Sequence, residues 1–598
     1  MRPVKRVLLG SAAAIFAVAG AQAADVGLPV KAKPVEYVRV CSLYGAGFWY
    51  VPGTDTCVKI GAFVRLQTAY GAGGGGTFQG GIGNNPGESD FSGAFSRTTS
   101  MFNFQTRGAI SLDLRTQTEY GTLRSYLDIG ASVQSNAGGF AGGATTQPLG
   151  ASAQYGNTGV YMDRAFLQFA GFTAGRIRSF FDMVNPGAYS LASQRFSGDT
   201  SGVGITGIAY TWQFGGGLSA SLSLEDSGWG AGGRGRSIIN LAGNSYPIGG
   251  SDASSAFGLG IMWPDNKGQQ FFDPVFNIRL DQSWGFVGAS FALHDASGGY
   301  YGSGYNCFSA SPVGAGGGVT GLCGPNNVSP NSSPPINVAT GQIISNYPVG
   351  GNNGNETSGH PADKFGWASS VGFTLVNPFG LAGDSVGAQA VYSEGAIGYN
   401  TTAWGPYVIY GAGRKVGMSN LIDGVFDLNT GVQLTHNWSA VGFYEHVWSP
   451  QWRTSIYGGF LGTDWAGGKA LVCPLGSATT MPNGFSGGLN GVFQNSNYPA
   501  YPVAGTANRY QGNVSNCDPN SSWTQLGTRT MWNPVPDLDV GLDFTWAHLN
   551  TAFAGTANLN AFGTIFQQNA TGRPPGAYNI TNQDVLSTVF RIQRNFLY

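Results

Sequence analysis

The stretch Arg107-Gly108-Ala109-Ile110-Ser111-Leu112-Asp113-Leu114-Arg115-Thr116-Gln117-Thr118-Glu119-Tyr120 sorts its residues by parity. Arg107, Ser111, Asp113, Arg115, Gln117 and Glu119 fall on one side, and Ile110, Leu112, Leu114, Thr116, Thr118 and Tyr120 on the other. At helical period these residues scatter around the axis; at period two they separate almost without error, as in a strand with one wet and one apolar face. Glu119-Tyr120-Gly121 makes a tight turn, after which Arg124, Tyr126 and Asp128 oppose Leu123, Leu127 and Ile129. The pair reads as a hairpin.

The same sign recurs along the chain. Lys59, Gly61, Arg65 and Gln67 oppose Val58, Ile60, Ala62, Val64 and Leu66. Arg164, Phe166 and Gln168 alternate with Ala165, Leu167 and Phe169, and the chain returns with Arg176 and Arg178 on one face. Asn277, Arg279 and Asp281, then Arg453, Ser455 and Tyr457, then Asp539, Gly541 and Asp543 repeat the pattern. About sixteen such segments of ~9–12 residues emerge, the length a tilted strand needs to cross a bilayer. The last of them, Val589 to Tyr598, sets Phe590, Ile592, Phe596 and Tyr598 against Arg591, Gln593 and Asn595. Ordering such a terminal strand costs ~1–2 kcal/mol of backbone entropy per residue, and a closed barrel offsets it by pairing last strand with first. A polar face lining a wide interior sends the apolar face outward, which only lipid tolerates. The expected fold is therefore all-β, a transmembrane antiparallel up-and-down barrel. Short connections such as Glu119 to Gly121 and Ser449 to Gln451 alternate with long Gly-, Asn-, Ser- and Pro-rich ones at about 71–100, 134–158, 183–204, 227–254, 296–363, 463–521 and 551–583. That asymmetry fits tight periplasmic turns and long extracellular loops.

The N-terminus fixes the compartment. Met1-Arg2-Pro3-Val4-Lys5-Arg6 is basic, Val7 to Gly20 is apolar, and Ala21-Gln22-Ala23 reads as a signal-peptidase site. The expected organisation is a signal peptide over 1–23, a periplasmic lead-in over 24–56 and a barrel over 57–598, exported to the bacterial outer membrane. Removing Arg2, Lys5 and Arg6 leaves 27 basic against 31 acidic residues, a formal net charge of −4. That argues against nucleic acid as a partner, since it calls for a basic surface. Charged residues make up only 10% of the chain while aromatics reach 13% and glycines number 97, which suits a lipid-facing surface with aromatic girdles. A secreted glycine-rich β-domain acting as an adhesin or lectin shares this composition. The five histidines show no metal-ligand spacing, and no nucleophile elbow is present, so neither catalysis, metal nor cofactor is expected. Gly71 to Gly76 and Gly228 to Gly233 fit G-x-G-x-x-G only formally, because neither follows a strand into a helix.

The candidate functional residues are the charges on the polar faces. Arg107, Arg115, Arg124, Arg164, Arg176 and Arg178 project from neighbouring strands to one side, with Asp113 and Asp128 among them. On one reading they line the pore constriction; on the other they merely balance charge on the wall. Asp182 and Asp199 bracket the loop at 183–204, which is expected to fold inward and supply countercharge across the narrowest point.

Cys41-Ser42-Leu43-Tyr44-Gly45-Ala46-Gly47-Phe48-Trp49-Tyr50, followed by Pro52 to Gly61, closely resembles the start of the rhizobial-type porins of alphaproteobacterial outer membranes. Arg591 to Phe596 is similar to their closing strand, and Trp448 to Ser455 to one of their internal turns. The resemblance implies a sixteen-stranded, trimeric general-diffusion porin whose third loop forms an eyelet facing basic wall residues. It implies passage of small hydrophilic solutes and ions, with lipid, lipopolysaccharide and two further copies of the chain as partners. The expanded loops at 296–363 and 463–521 depart from that pattern.

The six cysteines fall as neighbours, Cys41 with Cys57, Cys307 with Cys323 and Cys473 with Cys517, in an exported chain. Non-reducing peptide mapping is expected to recover these three linkages; a free thiol or a crossed linkage contradicts the pairing.

Overall fold

The computed structural model describes residues 40–70, 102–134, 157–191, 198, 200, 204–228, 234–240, 266–301, 359–401, 405–411, 413–427, 429–472, 514–516, 518–559 and 576–596. The proposed signal peptide, Asp199, Leu597, Tyr598 and the Cys307–Cys323 and Cys473–Cys517 pairs lie outside these described residues.

Sixteen strands form one antiparallel ring. In chain order they are β1 Thr56–Tyr70, β2 Phe102–Thr118, β3 Gly121–Gln134, β4 Asn157–Phe169, β5 Phe172–Ile177 and β6 Ile205–Gly215. Next come β7 Leu218–Glu225, β8 Asp273–Gln282, β9 Gly285–Asp295, β10 Phe365–Val376 and β11 Ser385–Glu394. The ring ends with β12 His436–Ser449, β13 Trp452–Asp464, β14 Ser521–Trp532, β15 Leu538–Asn550 and β16 Gln583–Phe596. Each pairs with its neighbour in sequence, and β16 closes on β1 from Ala62 opposite Phe596 to Tyr70 opposite Thr588. The terminal strand is thus paired on both edges, with β15 on its other side.

Parity decides which side is lipid. Val64, Ile110, Leu167, Val371, Ile456 and Leu586 stand exposed on the outer face. Their neighbours in sequence point into the lumen, where an apolar core is replaced by polar side chains such as Ser290, Gln389, Asp543 and Ser587. Aromatic pairs flank the outer band: Tyr70 and Phe102 at the long-loop end, Trp452 stacked 5.7 Å from Trp532 at the short-turn end. The lead-in is no loose tether where it is described. Cys41 is bridged to Cys57 at the start of β1, and Tyr44, Phe48 and Tyr50 pack around the bridge. Closing a ring of this size contributes ~3 kcal/mol by restricting the open chain.

Two features depart from strict period two or from the expected loop list. A bulge in β4 sets Asp128 opposite Arg164 and Ile129 opposite Met162, leaving Asp163 as an extra residue. Two consecutive side chains, Asp163 and Arg164, therefore serve one wall position. The connection 395–435 between β11 and β12, absent from the expected set of long loops, is itself folded. It contains the hairpin Gly405–Gly411 with Lys415–Leu421, and its Gly424–Phe426 strand pairs with Gln433–Leu434 and with Ile238–Asn240.

Truncating the chain after residue 588 removes the partner of most of the β1 edge, and no stable, heat-modifiable barrel is expected on electrophoresis. Normal barrel levels after that truncation contradict closure by β16. A second expectation concerns Asp384, in the turn before β11. Burial works to raise its pKa, but hydrogen bonds from His446, Tyr444 and the Val447 N–H outweigh it and hold the carboxyl down to about 2. A depressed folded-state pKa gives stability that is complete above the ordinary carboxylate value of ~3.9 and lost as pH falls through the folded one. Asp384→Asn should lower the barrel's melting temperature at pH 7, the gap from the parent closing as pH falls to about 2; a gap independent of pH contradicts the linkage.

Candidate pore constriction

β5 stops after six residues because the chain leaves the sheet and enters the barrel. Glu225 at the end of β7 accepts from Ser179 Oγ at 2.6 Å and Phe180 N at 2.8 Å, turning the chain inward. Asp182 accepts from Thr200 N and Oγ and so ties the outgoing leg to the returning one. Between these points residues 179–191 run as a belt around the inner wall. Asn277 of β8 donates to Phe180 O at 2.7 Å, and Ser290 of β9 to Phe181 O at 2.8 Å. Gln389 of β11 accepts from both Met183 N and Val184 N at 3.1 Å. Tyr189 stacks on Phe443 of β12 at 3.7 Å, Ser455 of β13 donates to Tyr189 O, and Arg529 of β14 donates to Ala188 O. Asp543 of β15 accepts from Leu191 N at 2.6 Å, and Arg591 of β16 donates to Leu191 O at 3.2 Å. A non-repetitive segment inside a barrel strands its own peptide groups, and here the polar inner wall satisfies them one strand at a time. Gly288 and Gly372, opposite each other on β9 and β10, make room: a Cβ at either would meet Met183 within 3 Å.

The belt touches the wall from β8 to β16 and not the arc β2 to β4, while toward the short turns Arg279 on β8 and Arg453 on β13 keep 32% of their side-chain surface exposed. Side chains of Arg107, Arg115 and Arg124 keep 25–28% of their surface exposed, whereas Gln389, Tyr457 and Asp543 keep 2% or less. Water therefore reaches the β2–β4 wall.

The sequence-predicted residues divide into levels along that wall. Arg107 donates to Asp163 at 2.9 Å and to Tyr161 OH, its guanidinium lying 3.9 Å from the Tyr161 ring centre. That ring lies across Gly130, where any Cβ would overlap it. Arg164 reaches Asp163 O and Thr200 O, joining the wall to the returning leg of the belt, with Asp128 opposite in register. Arg176 pairs with Thr206 across β5 and β6, and Arg178 donates to Val184 O within the belt. Arg115 and Arg124 are elsewhere: both grip Asp113, at 2.7 and 3.0 Å, near the short-turn end. Eight residues of strand separate Arg115 from Arg107, ~26 Å at ~3.3 Å each. The six arginines thus do not share one level, because the register that sends them to one face also spreads them along it.

Asp182 corrects the expected countercharge. It does not face the wall arginines across open water; its carboxylate is fully buried 2.7 Å from Arg234, itself donating to Ser179 Oγ. Burial works against the Arg234 charge, but Asp182, Tyr399 and Glu225 outweigh it and push its pKa above the ordinary value. Asp182 is spent on holding the belt in place, and the carboxylates beside the wall arginines are Asp113, Asp128 and Asp163. Sequence reasoning missed Asp163, because a bulge breaks parity, and Arg234, because nothing in its Gly-rich surroundings marks a partner. Arg591 was legible on the polar face, but not as a belt anchor, and Arg529 was not singled out.

A closed barrel with an apolar outer band, a polar lumen and one loop drawn through it has the architecture of an outer-membrane β-barrel. A model of the porin subfamily matches residues 27–572, and the chain belongs to that family, in the bacterial outer membrane. It is 34% identical over 237 residues to porin Omp2b of Brucella canis and 33% to that of Brucella suis, covering 38% of this chain and 54% of each relative. The chain spans about half the length of these curated relatives. Among solved structures it is similar to the outer membrane channel DcaP of Acinetobacter baumannii (TM-score 0.44, 11% identity, 92% of this chain and 99% of that one). It is also similar to an anion-selective porin from Comamonas acidovorans (TM-score 0.36, 9% identity, 90% and 100%).

If the β2–β4 wall faces the permeating water, Arg107→Ala shifts the reversal potential in a salt gradient toward cations. Asp163→Asn, which unmasks Arg107, shifts it toward anions. Unchanged reversal potentials in both variants would remove these residues from the conduction path.

Proposed function

We propose that the chain forms a water-filled passive channel for small hydrophilic solutes and ions, works as a homotrimer, and carries out no catalysis and uses no cofactor. The carrying observation is the contrast between the part-exposed, charged side chains of the β2–β4 wall and the buried side chains that the belt covers on β11, β13 and β15. Such a wall keeps its charges solvated, so ions passing along it lose little hydration, and the belt limits width. Arg107, Arg115, Arg124, Arg164, Arg176 and Arg178 carry the positive charge of this path; Asp113, Asp128 and Asp163 moderate it, so selectivity toward anions is weak. The names of the porin relatives support the same reading, as does the family. Export by a signal peptide cleaved before Ala24, contact with lipid and lipopolysaccharide, and the two cysteine pairs in the long loops belong to the same proposal.

The purified protein, added to a planar bilayer, is expected to give discrete ohmic conductance steps and to run as a heat-modifiable oligomer. Folded barrels that produce no steps over a wide voltage range would overturn the channel reading.

A further inference from the structure

The belt is not the only segment that fills the lumen. The connection 395–435 forms a second storey on the long-loop side, over the same arc of wall. Ile397, Ile409 and Leu421 pack against Leu461, Trp523 and Leu549 from the inner faces of β13, β14 and β15. Asn400 donates to Ser439 Oγ on β12 at 3.3 Å, and Trp523 Nε1 donates to Ser419 Oγ at 3.1 Å. Lys415 and Val416 pair in parallel with Asn579 and Ile580, part of the connection into β16.

Charge fixes the same unit from the other side. Asp423 accepts from the N–H groups of Ile397 at 2.7 Å and Ser237 at 2.6 Å. Asp273 on β8 accepts from Tyr399 OH at 2.8 Å and lies 2.7 Å from His294 Nδ1 on β9. Arg234 touches Gly398 O while bridging to Asp182, so this connection, the belt and the wall form one packed body. Lifting it would expose buried apolar surface and strand buried charges together, which makes it a fixed part of the wall and not a door.

The geometry points to the 395–435 segment as a permanent inner lining that sets the bore of the channel, leaving passage along β2 to β4 to compact hydrophilic solutes. This rests on the channel reading above. An unfilled barrel of sixteen strands leaves a wide aqueous interior. Here two stacked layers occupy it along one arc, and part-exposed Arg107 and Asp163 stand on the other.

Removing residues 404–421 and joining the ends with Gly-Ser in the full chain takes away the hairpin while leaving Asp423, Tyr399 and the belt. Single-channel conductance should rise at least twofold, and larger polyethylene glycols should enter, as judged by their reduction of conductance. A folded, heat-modifiable variant with the parent's conductance and polymer cutoff overturns the proposal. A second test needs no deletion: Ser439→Cys, beneath the lining, should resist a water-soluble thiosulfonate under conditions in which Ser132→Cys on β3 reacts, each measured against the parent chain. Equal labelling of the two overturns a fixed lining. A parent that gives no conductance steps fails the channel reading instead, and the labelling still decides whether the lining is fixed.

Discussion

Pairing of β16 with β1 is the constraint on which everything else depends. In hydrocarbon no water satisfies a free N–H or C=O, and each orphaned group costs several kcal/mol, so an open sheet edge is not a viable state there. Closure then imposes the inside-out distribution. Once the ring is shut, successive side chains must alternate between lipid and lumen, and Ile592 and Arg591 are sorted by a single step along the chain. The residues that line the lumen, and those available to hold anything inside it, follow from that sorting.

A polar lumen changes what can be packed in it. A loop threaded through an apolar core would leave its peptide groups unpaired, at ~1–3 kcal/mol for each buried group. The belt avoids this because closure has already supplied Asn277, Ser290, Gln389, Ser455, Asp543 and Arg591 as partners. Charges beneath it have to be matched. Arg529 pairs with Glu445, Asp543 receives the Tyr457 hydroxyl, and Asp182 meets Arg234. Removing one member of such a buried pair costs ~3–5 kcal/mol, so these contacts fix the belt's position more firmly than surface ion pairs would.

Much of this was legible in the sequence because lipid enforces parity over long runs. The 107–120 and 121–134 segments, the terminal strand as far as Phe596, the Cys41–Cys57 bridge and the inward course of residues 183–191 all follow from local pattern or from the resemblance. The rest depends on contacts between residues far apart in sequence. Asp163 hides in a bulge, since one inserted residue turns an apparent outward position inward. Asp182 looked free to face the pore; its partner Arg234 lies 52 residues on, beyond the reach of periodicity. The 395–435 connection carries no strong alternation, since it contacts wall on one side and other loops on the other, and so reads as ordinary chain.

These contacts also explain how the arginines of the lumen are held. A guanidinium under the belt or the lining gives up hydration and needs acceptors in exchange: Arg234 and Arg529 have carboxylates, and Arg591 has Gln67 Oε1 and Leu191 O. On β2 to β4 the penalty is smaller, because water covers part of each side chain and the effective dielectric is higher. Asp113 serves both Arg115 and Arg124, Asp163 serves Arg107, and Asp128 stands opposite Arg164 in register. Filling one side of the lumen thus sets how its charges are held: under the belt Arg529 rests on Glu445 and Arg591 on Gln67 Oε1 and Leu191 O, while Arg107 keeps part of its hydration beside Asp163 on the uncovered arc.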